Sequence, residues 1–443
     1  MNKKIFICGL LILFQAFAFS NLSPSRLSPD ISKPGSGNLL SGYIKLHLEL
    51  VRCTKGLSQG QLFRHFMYTS VALYESIVNG DKRYRTLSGQ LQELTPLPVM
   101  TVGKKTCWQA SASASLATIL KTFYTTNPSA IQRIDSLKNQ FSLLFLKEGY
   151  TKQNIQTASD YGDSIALLIV EWSKNDGSTK VHPTYEVPKG NGFWEPTPPA
   201  FGSPLVPYAF NNRTCVKNST SNTLPLAPLA FSTDSSSTFY KMVNEVYMAT
   251  QNLTDDQKAM AMFWDDLPNG RFFGASGHWA SIFNQVVQQQ QLSLIEAAKA
   301  YVAMNIALMD AFNACWKAKY TYNVMRPVTF IQKYMGHSEW QPLIITPAHP
   351  EYPAAHASIS MAAATALTKV LGNHISFTDH SYDDLGFAPR NFKNFEQAGK
   401  EAGLSRLYGG IHYRPSIEAG YILGAKTATN ALSGVNFKFK KST

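Results

Sequence analysis

The sequence predicts an all-α protein made of two bundle-like helical halves within one domain. Apolar residues recur at three- and four-residue steps along most of the 443-residue chain, strand-like alternation is almost absent, and no repeat of fixed period occurs. A composition of 44% hydrophobic and 16% charged residues supports a large packed core.

Residues 1–20 read as a secretory signal, with Asn2-Lys3-Lys4, an apolar run from Ile5 to Phe19, and Ala16-Phe-Ala18 or Ala18-Phe-Ser20 as the cleavage point. That reading implies a secreted or periplasmic protein. Nothing downstream holds the ~18 consecutive apolar residues of a membrane span. Across residues 21–180, helical periodicity marks Tyr43 to Thr54, Gln61 to Val78, Thr106 to Tyr124 and Thr151 to Ser173. Residues 181–238 break the pattern with Glu195-Pro-Thr-Pro-Pro199 and Pro204-Leu-Val-Pro207. Phe193, Trp194, Tyr208 and Phe210 make this stretch an ordered covering loop rather than a linker. Over residues 239–434, helices are expected near Ser235–Thr250, Asp255–Trp264, Gly277–Gln290, Ser293–Tyr320, Pro353–Val370, Asn391–Leu407 and Pro415–Leu432. Residues 435–443 form a basic tail.

The formal net charge is +12, or +10 once Lys3 and Lys4 leave with the signal. The basic residues are dispersed, so the charge favours the approach of small anions over nucleic acid. Without the signal's Cys8, Cys53, Cys107, Cys215 and Cys315 remain, allowing up to two disulfides of undetermined pairing. No Cys/His spacing suggests zinc.

The chemistry lies in the second half. Ser293-Leu-Ile-Glu296 reads as a capping box opening a long helix. Leu294, Ala298, Tyr301, Asn305, Leu308, Phe312 and Cys315 form its inward stripe. Lys319 falls next on that stripe, where a lysine needs an anionic partner or must snorkel to solvent. Trp316 lies three residues before it. Arg326 precedes Pro327, which suits the first position of the next helix. Pro353 likewise suits a first helical position, which places free first-turn amides around Ala354 and Ala355, with His356 in the same turn. Ser405-Arg406 closes a helix stopped by Gly409-Gly410, and His412 follows in the turn before Pro415. A neutral imidazole there can ligate a metal or accept a phosphoryl group. Singly, each residue has an ordinary structural explanation. Together, three cations and two imidazoles read as one buried pocket for a tetrahedral oxyanion, because a buried anion requires charged partners.

Lys-x6-Arg-Pro, Pro-x-x-His and Ser-Arg-x5-His resemble, in order and spacing, the site of vanadium-dependent haloperoxidases. They equally resemble their acid-phosphatase relatives in the type-2 phosphatidic acid phosphatase superfamily. The likeness runs from about Phe263-Trp264 through Gly277-His-Trp279 to Gly420, and is strongest to the bacterial branch. It implies that Lys319, Arg326, Arg406 and the Ala355 amide hold the oxygens of vanadate, with phosphate as a competing occupant. It makes His412 the ligand of vanadium and His356 the acid–base residue, with Lys319 polarising the peroxide. Trp316 and His349 match pocket positions of the fungal chloroperoxidases and algal bromoperoxidases. The implied reaction is oxidation of halide, bromide or iodide favoured, by hydrogen peroxide. The alternatives are an exported acid phosphatase using His412 as nucleophile, and a non-catalytic oxyanion-binding relative. Two departures stand out. Ala354 replaces the family's serine, losing a donor worth about 1.5–3 kcal/mol. Ser416 replaces the aspartate that orients the last histidine, which weakens a phosphatase more than a vanadate site. Glu418, Asp383 and Asp384 are the candidate substitutes.

Overall fold

A computed structural model describes residues 30–100 and 105–439. The signal read at residues 1–20 and the end of the basic tail lie outside the described residues. The described chain is all-α. Its helices are α1 (Asn38–Cys53), α2 (Gln59–Ile77), α3 (Trp108–Phe123), α4 (Pro128–Lys147), α5 (Lys152–Lys174), α6 (Thr238–Gln251), α7 (Asp255–Phe263), α8 (Gly274–Gln289), α9 (Leu294–Tyr322), α10 (Pro327–Tyr334), α11 (Ala355–Leu371), α12 (Phe395–Tyr408) and α13 (Arg414–Ser433). Two short strands, β1 (Phe377–Asp379) and β2 (Arg390–Phe392), pair antiparallel with Asp379 opposite Arg390. No helix among the described residues is long and apolar enough to cross a membrane.

Local sequence explains most boundaries. Ser58 and Thr151 form capping boxes that start α2 and α5. Helix α4 is absent from the expected set. Yet Asn127 caps it, Pro128 opens it, and Ala130, Ile134, Leu137, Phe141 and Phe145 form its buried stripe. At α9 only half of the expected box forms: Ser293 accepts the Glu296 N–H, while the Glu296 carboxylate takes the Ser293 hydroxyl. Pro353 does not open α11. The Tyr352–Pro353 peptide is cis and the helix starts at Ala355, because Ala354 keeps the extended backbone of an N-cap (ψ 122°); its N–H donates to the Ser416 carbonyl at 3.0 Å.

Helix α9 is buried on nearly every face, as a helix at the centre of a large core must be. One apolar cluster reaches from Leu39 of α1 to Ala431 of α13. Small residues set the approach of the helices that carry the site. Ala303, Ala307 and Ala311 of α9 pack with Ala362 and Ala366 of α11 and Ala428 of α13. At Gly424 of α13, a β-carbon would lie 2.0 Å from the Ser358 carbonyl oxygen of α11. Residues 182–237 hold no α-helix, but backbone bonds pin them beside the end of α9. Trp194 N–H donates to Asn323 (2.6 Å), Met325 N–H to Gly192 (2.9 Å) and Leu205 N–H to Ala348 (2.8 Å).

In an exposed helix, Gly→Ala would stabilise by about 1 kcal/mol. Gly424→Ala should instead destabilise by about 2–3 kcal/mol, because α13 must move off α11. Urea unfolding of the two proteins checks this; an unchanged or raised midpoint contradicts the close crossing.

Candidate active site

Lys319 lies in the last turn of α9 and is fully buried. Its Nζ donates to the carbonyls of Pro350 (2.8 Å) and Glu351 (2.9 Å). Asn323 then adopts left-handed backbone geometry (φ 49°), turning the chain so that Arg326 falls at the N-cap of α10. Arg326 is also fully buried. Its Nε donates to the His349 carbonyl (3.0 Å) and Nη1 to the Ile411 carbonyl (2.8 Å). The same guanidinium reaches two imidazoles: Nη1 lies 3.1 Å from His412 Nε2 and Nη2 lies 3.0 Å from His349 Nδ1. Arg406, in the last turn of α12, donates to the Trp264 carbonyl and keeps a buried Nε with no partner.

Among the described residues, none of these three cations forms an ion pair with a carboxylate; their bonds go to carbonyl oxygens and imidazole nitrogens. Burial therefore pushes Lys319 well below the usual lysine range and Arg326 down to about 10. An anion enclosed by the three would favour their charged forms.

His412 occupies the turn made by Gly409 and Gly410, the latter at φ +78°. Its Nδ1 lies 2.7 Å from Glu351 Oε1, which also accepts the Tyr413 N–H at 3.0 Å. The other carboxylate oxygen accepts the Ser416 hydroxyl at 2.5 Å. Ser416 therefore does not leave His412 unsupported; it fixes a glutamate that does the aspartate's work from a different segment. The proposed substitutes fail: Glu418 is exposed, Asp383 pairs with His380, and Asp384 pairs with Arg52. With Nδ1–H donating to Glu351, the Nε2 lone pair faces the cations. Burial, reinforced by Arg326, Lys319 and Arg406, holds His412 far below the usual histidine range, so the ring is neutral.

Ala355 and His356 are the first two residues of α11, whose N-cap, Ala354, provides no side-chain bond to the free amides. His356 Nε2 lies 3.3 Å from Asp266 Oδ2 but makes no hydrogen bond of good geometry. Burial and then Arg406 depress this histidine to about 4. Asp266 sits just beyond α7 in left-handed geometry (φ 52°). Its Oδ1 takes His278 Nδ1–H at 2.9 Å and the Tyr382 hydroxyl at 2.8 Å. Trp316 and His349 stand side by side, ring centroids 5.1 Å apart, and the Trp316 indole N–H donates to the Leu205 carbonyl of the covering segment. All eight residues expected in the site thus surround one region, but Glu351, Asp266 and His278 were not anticipated as participants. Glu351 follows His349-Pro350 directly, and Asp266 follows the Phe263-Trp264 stretch, so adjacency was the available signal.

The residues fit a tetrahedral oxyanion. The positive charge is the protein's own, one guanidinium nitrogen is unsatisfied, an uncapped helix start faces the same region, and one imidazole presents a lone pair. Among the described residues no group of three His, Cys, Asp or Glu side chains could hold a metal cation. Glu351→Gln should weaken vanadate binding about 10–100-fold by freeing His412 to rotate, with Ser416→Ala a smaller step in the same direction. Calorimetric titration of each folded variant with orthovanadate measures this; wild-type affinity in Glu351→Gln contradicts the role.

Residues 299–441 match the family model described as the VCPO second helical-bundle domain. No curated protein matches the chain. Among solved structures, a bacterial vanadium-dependent iodoperoxidase superposes with a TM-score of 0.84 at 30% identity, covering 92% of this chain and 98% of that one. The holo-type bacterial vanadium-dependent chloroperoxidase gives a TM-score of 0.66 at 16% identity, covering 86% and 93%. The apo-type form gives 0.66 at 15%, covering 86% and 95%, and both likenesses are of fold alone. Identity and coverage at the level of the iodoperoxidase, joined to the cation-and-imidazole geometry above, place this chain in the vanadium haloperoxidase superfamily.

Proposed function

We propose that this haloperoxidase oxidises iodide, and bromide less readily, with hydrogen peroxide, using vanadate held by Lys319, Arg326, Arg406, the Ala355 amide and His412. The reaction moves two electrons from halide to peroxide: a halogen–oxygen bond forms, the O–O bond breaks, and hypohalous acid and water leave after one proton is taken up. The observation that carries the reading is His412, with Nδ1 fixed by Glu351 and Nε2 turned toward three buried cations.

Vanadium(V), when bound, supplies Lewis-acid activation of the peroxide without changing its oxidation state. The protein supplies the rest. Lys319, Arg326 and Arg406 neutralise the oxygens, and the buried setting strengthens each contact. His412 donates its Nε2 lone pair, kept available because Glu351 fixes the tautomer. His356, neutral and beside the oxyanion region, accepts and returns the proton of the incoming peroxide. Trp316 and His349 are buried side by side next to Arg326, and the Trp316 indole N–H ties them to the Leu205 carbonyl of the covering segment. Iodide is favoured because it is the most easily oxidised common halide. With Ala354 in place of a hydroxyl donor, the site polarises the peroxide less. The similar bacterial protein is itself an iodoperoxidase.

A second reading rests on the same Glu351–His412 pair. A carboxylate-supported imidazole is also a competent phosphoryl acceptor, so acid-phosphatase chemistry is not disfavoured by Ser416.

Apoprotein given orthovanadate and peroxide should form triiodide from iodide, with slower bromination of a phenol dye and little chloride turnover. Without vanadate it should hydrolyse p-nitrophenyl phosphate slowly or not at all. Phosphatase turnover exceeding halide oxidation would select the second reading. Vanadate binding with neither reaction would leave an oxyanion-binding protein. Lys319→Ala and His412→Ala should each lower halide oxidation at least ~100-fold, as loss of a preorganised charge contact does; near-normal turnover in either sinks the assignment.

A further inference from the structure

Behind His356 lies a second layer of charge that none of the roles above uses. His278, in α8, is completely buried and held by two carboxylates: Nδ1 is 2.9 Å from Asp266 Oδ1 and Nε2 is 2.9 Å from Asp379 Oδ2. A neutral imidazole has one N–H and could donate to only one of them; with both nitrogens facing carboxylates, the ring is an imidazolium. Burial opposes that charge, but Asp266 and Asp379 outweigh it and lift His278 to about 10. Asp379 is itself anchored, its Oδ1 accepting the N–H and hydroxyl of Ser381. Trp264 stacks over the His278 ring at 4.2 Å, and Tyr382 stands edge-on at 4.8 Å. The imidazolium cannot turn without breaking these contacts.

The consequence falls on Asp266. His278 and the Tyr382 hydroxyl both bind Oδ1, which leaves Oδ2 alone to face His356 Nε2. Although burial alone would raise Asp266, His278 and then His356 hold it well below the usual carboxylate range. A fixed anion at Nε2 draws the single proton of neutral His356 to that nitrogen. Nε2 is buried, so the 15% of the His356 side chain that stays accessible lies elsewhere on the ring, which includes Nδ1.

We propose that His278 is a positioning residue for halide oxidation: wedged between Asp266 and Asp379, it aims the free Asp266 oxygen at His356 and so sets which His356 nitrogen serves the reacting oxygens. The proposal rests on His356 being the acid–base group, and its spectroscopic test does not need turnover. The probes are side-chain 15N resonances of the apoprotein's 10 histidines, with His356 assigned by loss of its signals in His356→Gln. Wild type should show His356 as the Nε2–H tautomer. His278→Gln should shift it toward a mixture, lower kcat about 10-fold or more, and leave KM for peroxide and iodide within about twofold. Because removing one member of a buried charge cluster can unfold a protein, Asp379→Asn is the second variant. It keeps the Asp266–His278 contact and should give a smaller change of the same kind. A folded His278→Gln with an unchanged His356 tautomer and kcat overturns the proposal; if that variant does not fold, Asp379→Asn unchanged in both readouts does so. A shifted tautomer with unchanged kcat would instead mean that His356 is not the acid–base group, so the two failures are distinguishable.

Discussion

Three positive charges are buried in one place without an ion-paired carboxylate among the described residues, and the rest of the site answers to that constraint. Carbonyl oxygens of Pro350, Glu351, His349, Ile411 and Trp264 hold the cations in position, but carbonyl dipoles do not neutralise them. An isolated buried cation would lose its proton or be expelled to water. The protein keeps three by wrapping irregular backbone around them, and such backbone is tolerable inside a core only when its polar groups are used. The segments from Asn323 to Arg326 and from Pro347 to Ala354 are therefore short and densely bonded. A trivalent or divalent oxyanion is the natural counter-charge.

That requirement explains where the helices end. Lys319, Arg406 and His356 are all terminal-turn residues, and Arg326 and His412 lie in the turns immediately beyond. Bringing the ends of α9, α11 and α12 and the start of α13 to one point demands close helix crossings. The alanine seam of α9, α11 and α13 and the glycine at position 424 meet that demand. Packing far from the cavity thus sets distances within it.

This layout also decides what was legible in the sequence. Lys319, Arg326, His356, Arg406 and His412 could be read because each lies within a local motif of fixed spacing, and all-helical periodicity made their placement on helix ends readable. Glu351 could not be read as the partner of His412, since the two are 61 residues apart and meet only in the folded chain, where Ser416 holds the other carboxylate oxygen. The same holds for Asp266, His278 and Asp379, which sit on three separate segments joined only by tertiary ion pairs. Pro353 lies outside α11 because Ala354, extended at ψ 122° and bonded to the Ser416 carbonyl, is the N-cap, a tertiary arrangement that the local preference of proline for a first helical position does not reveal. Helix α4 is different. Its cap, its proline and its stripe from Ala130 to Phe145 were all present in the sequence.

Two carboxylate–imidazole pairs flank the oxyanion region, and their environments push them apart. Glu351 has no full positive charge bonded to it; burial raises it, opposed by the Ser416 hydroxyl and the fields of Lys319 and Arg326. Asp266 has the His278 imidazolium against it and lies far lower. Glu351 therefore holds the Nδ1 proton of His412 without a competing cation, which keeps Nε2 electron-rich, as a ligand to an electrophilic centre requires. Asp266, locked as an anion, orients His356 while burial, and then Arg406, keep that ring from charging, as a group that must accept and return one proton requires. Two histidines of the same neutral charge state are thus assigned to different work by whether a cation is bonded to the carboxylate behind them. The same division would serve a phosphohistidine mechanism equally well. The choice between the two chemistries therefore lies in what the cavity binds most tightly, and not in how its histidines are held.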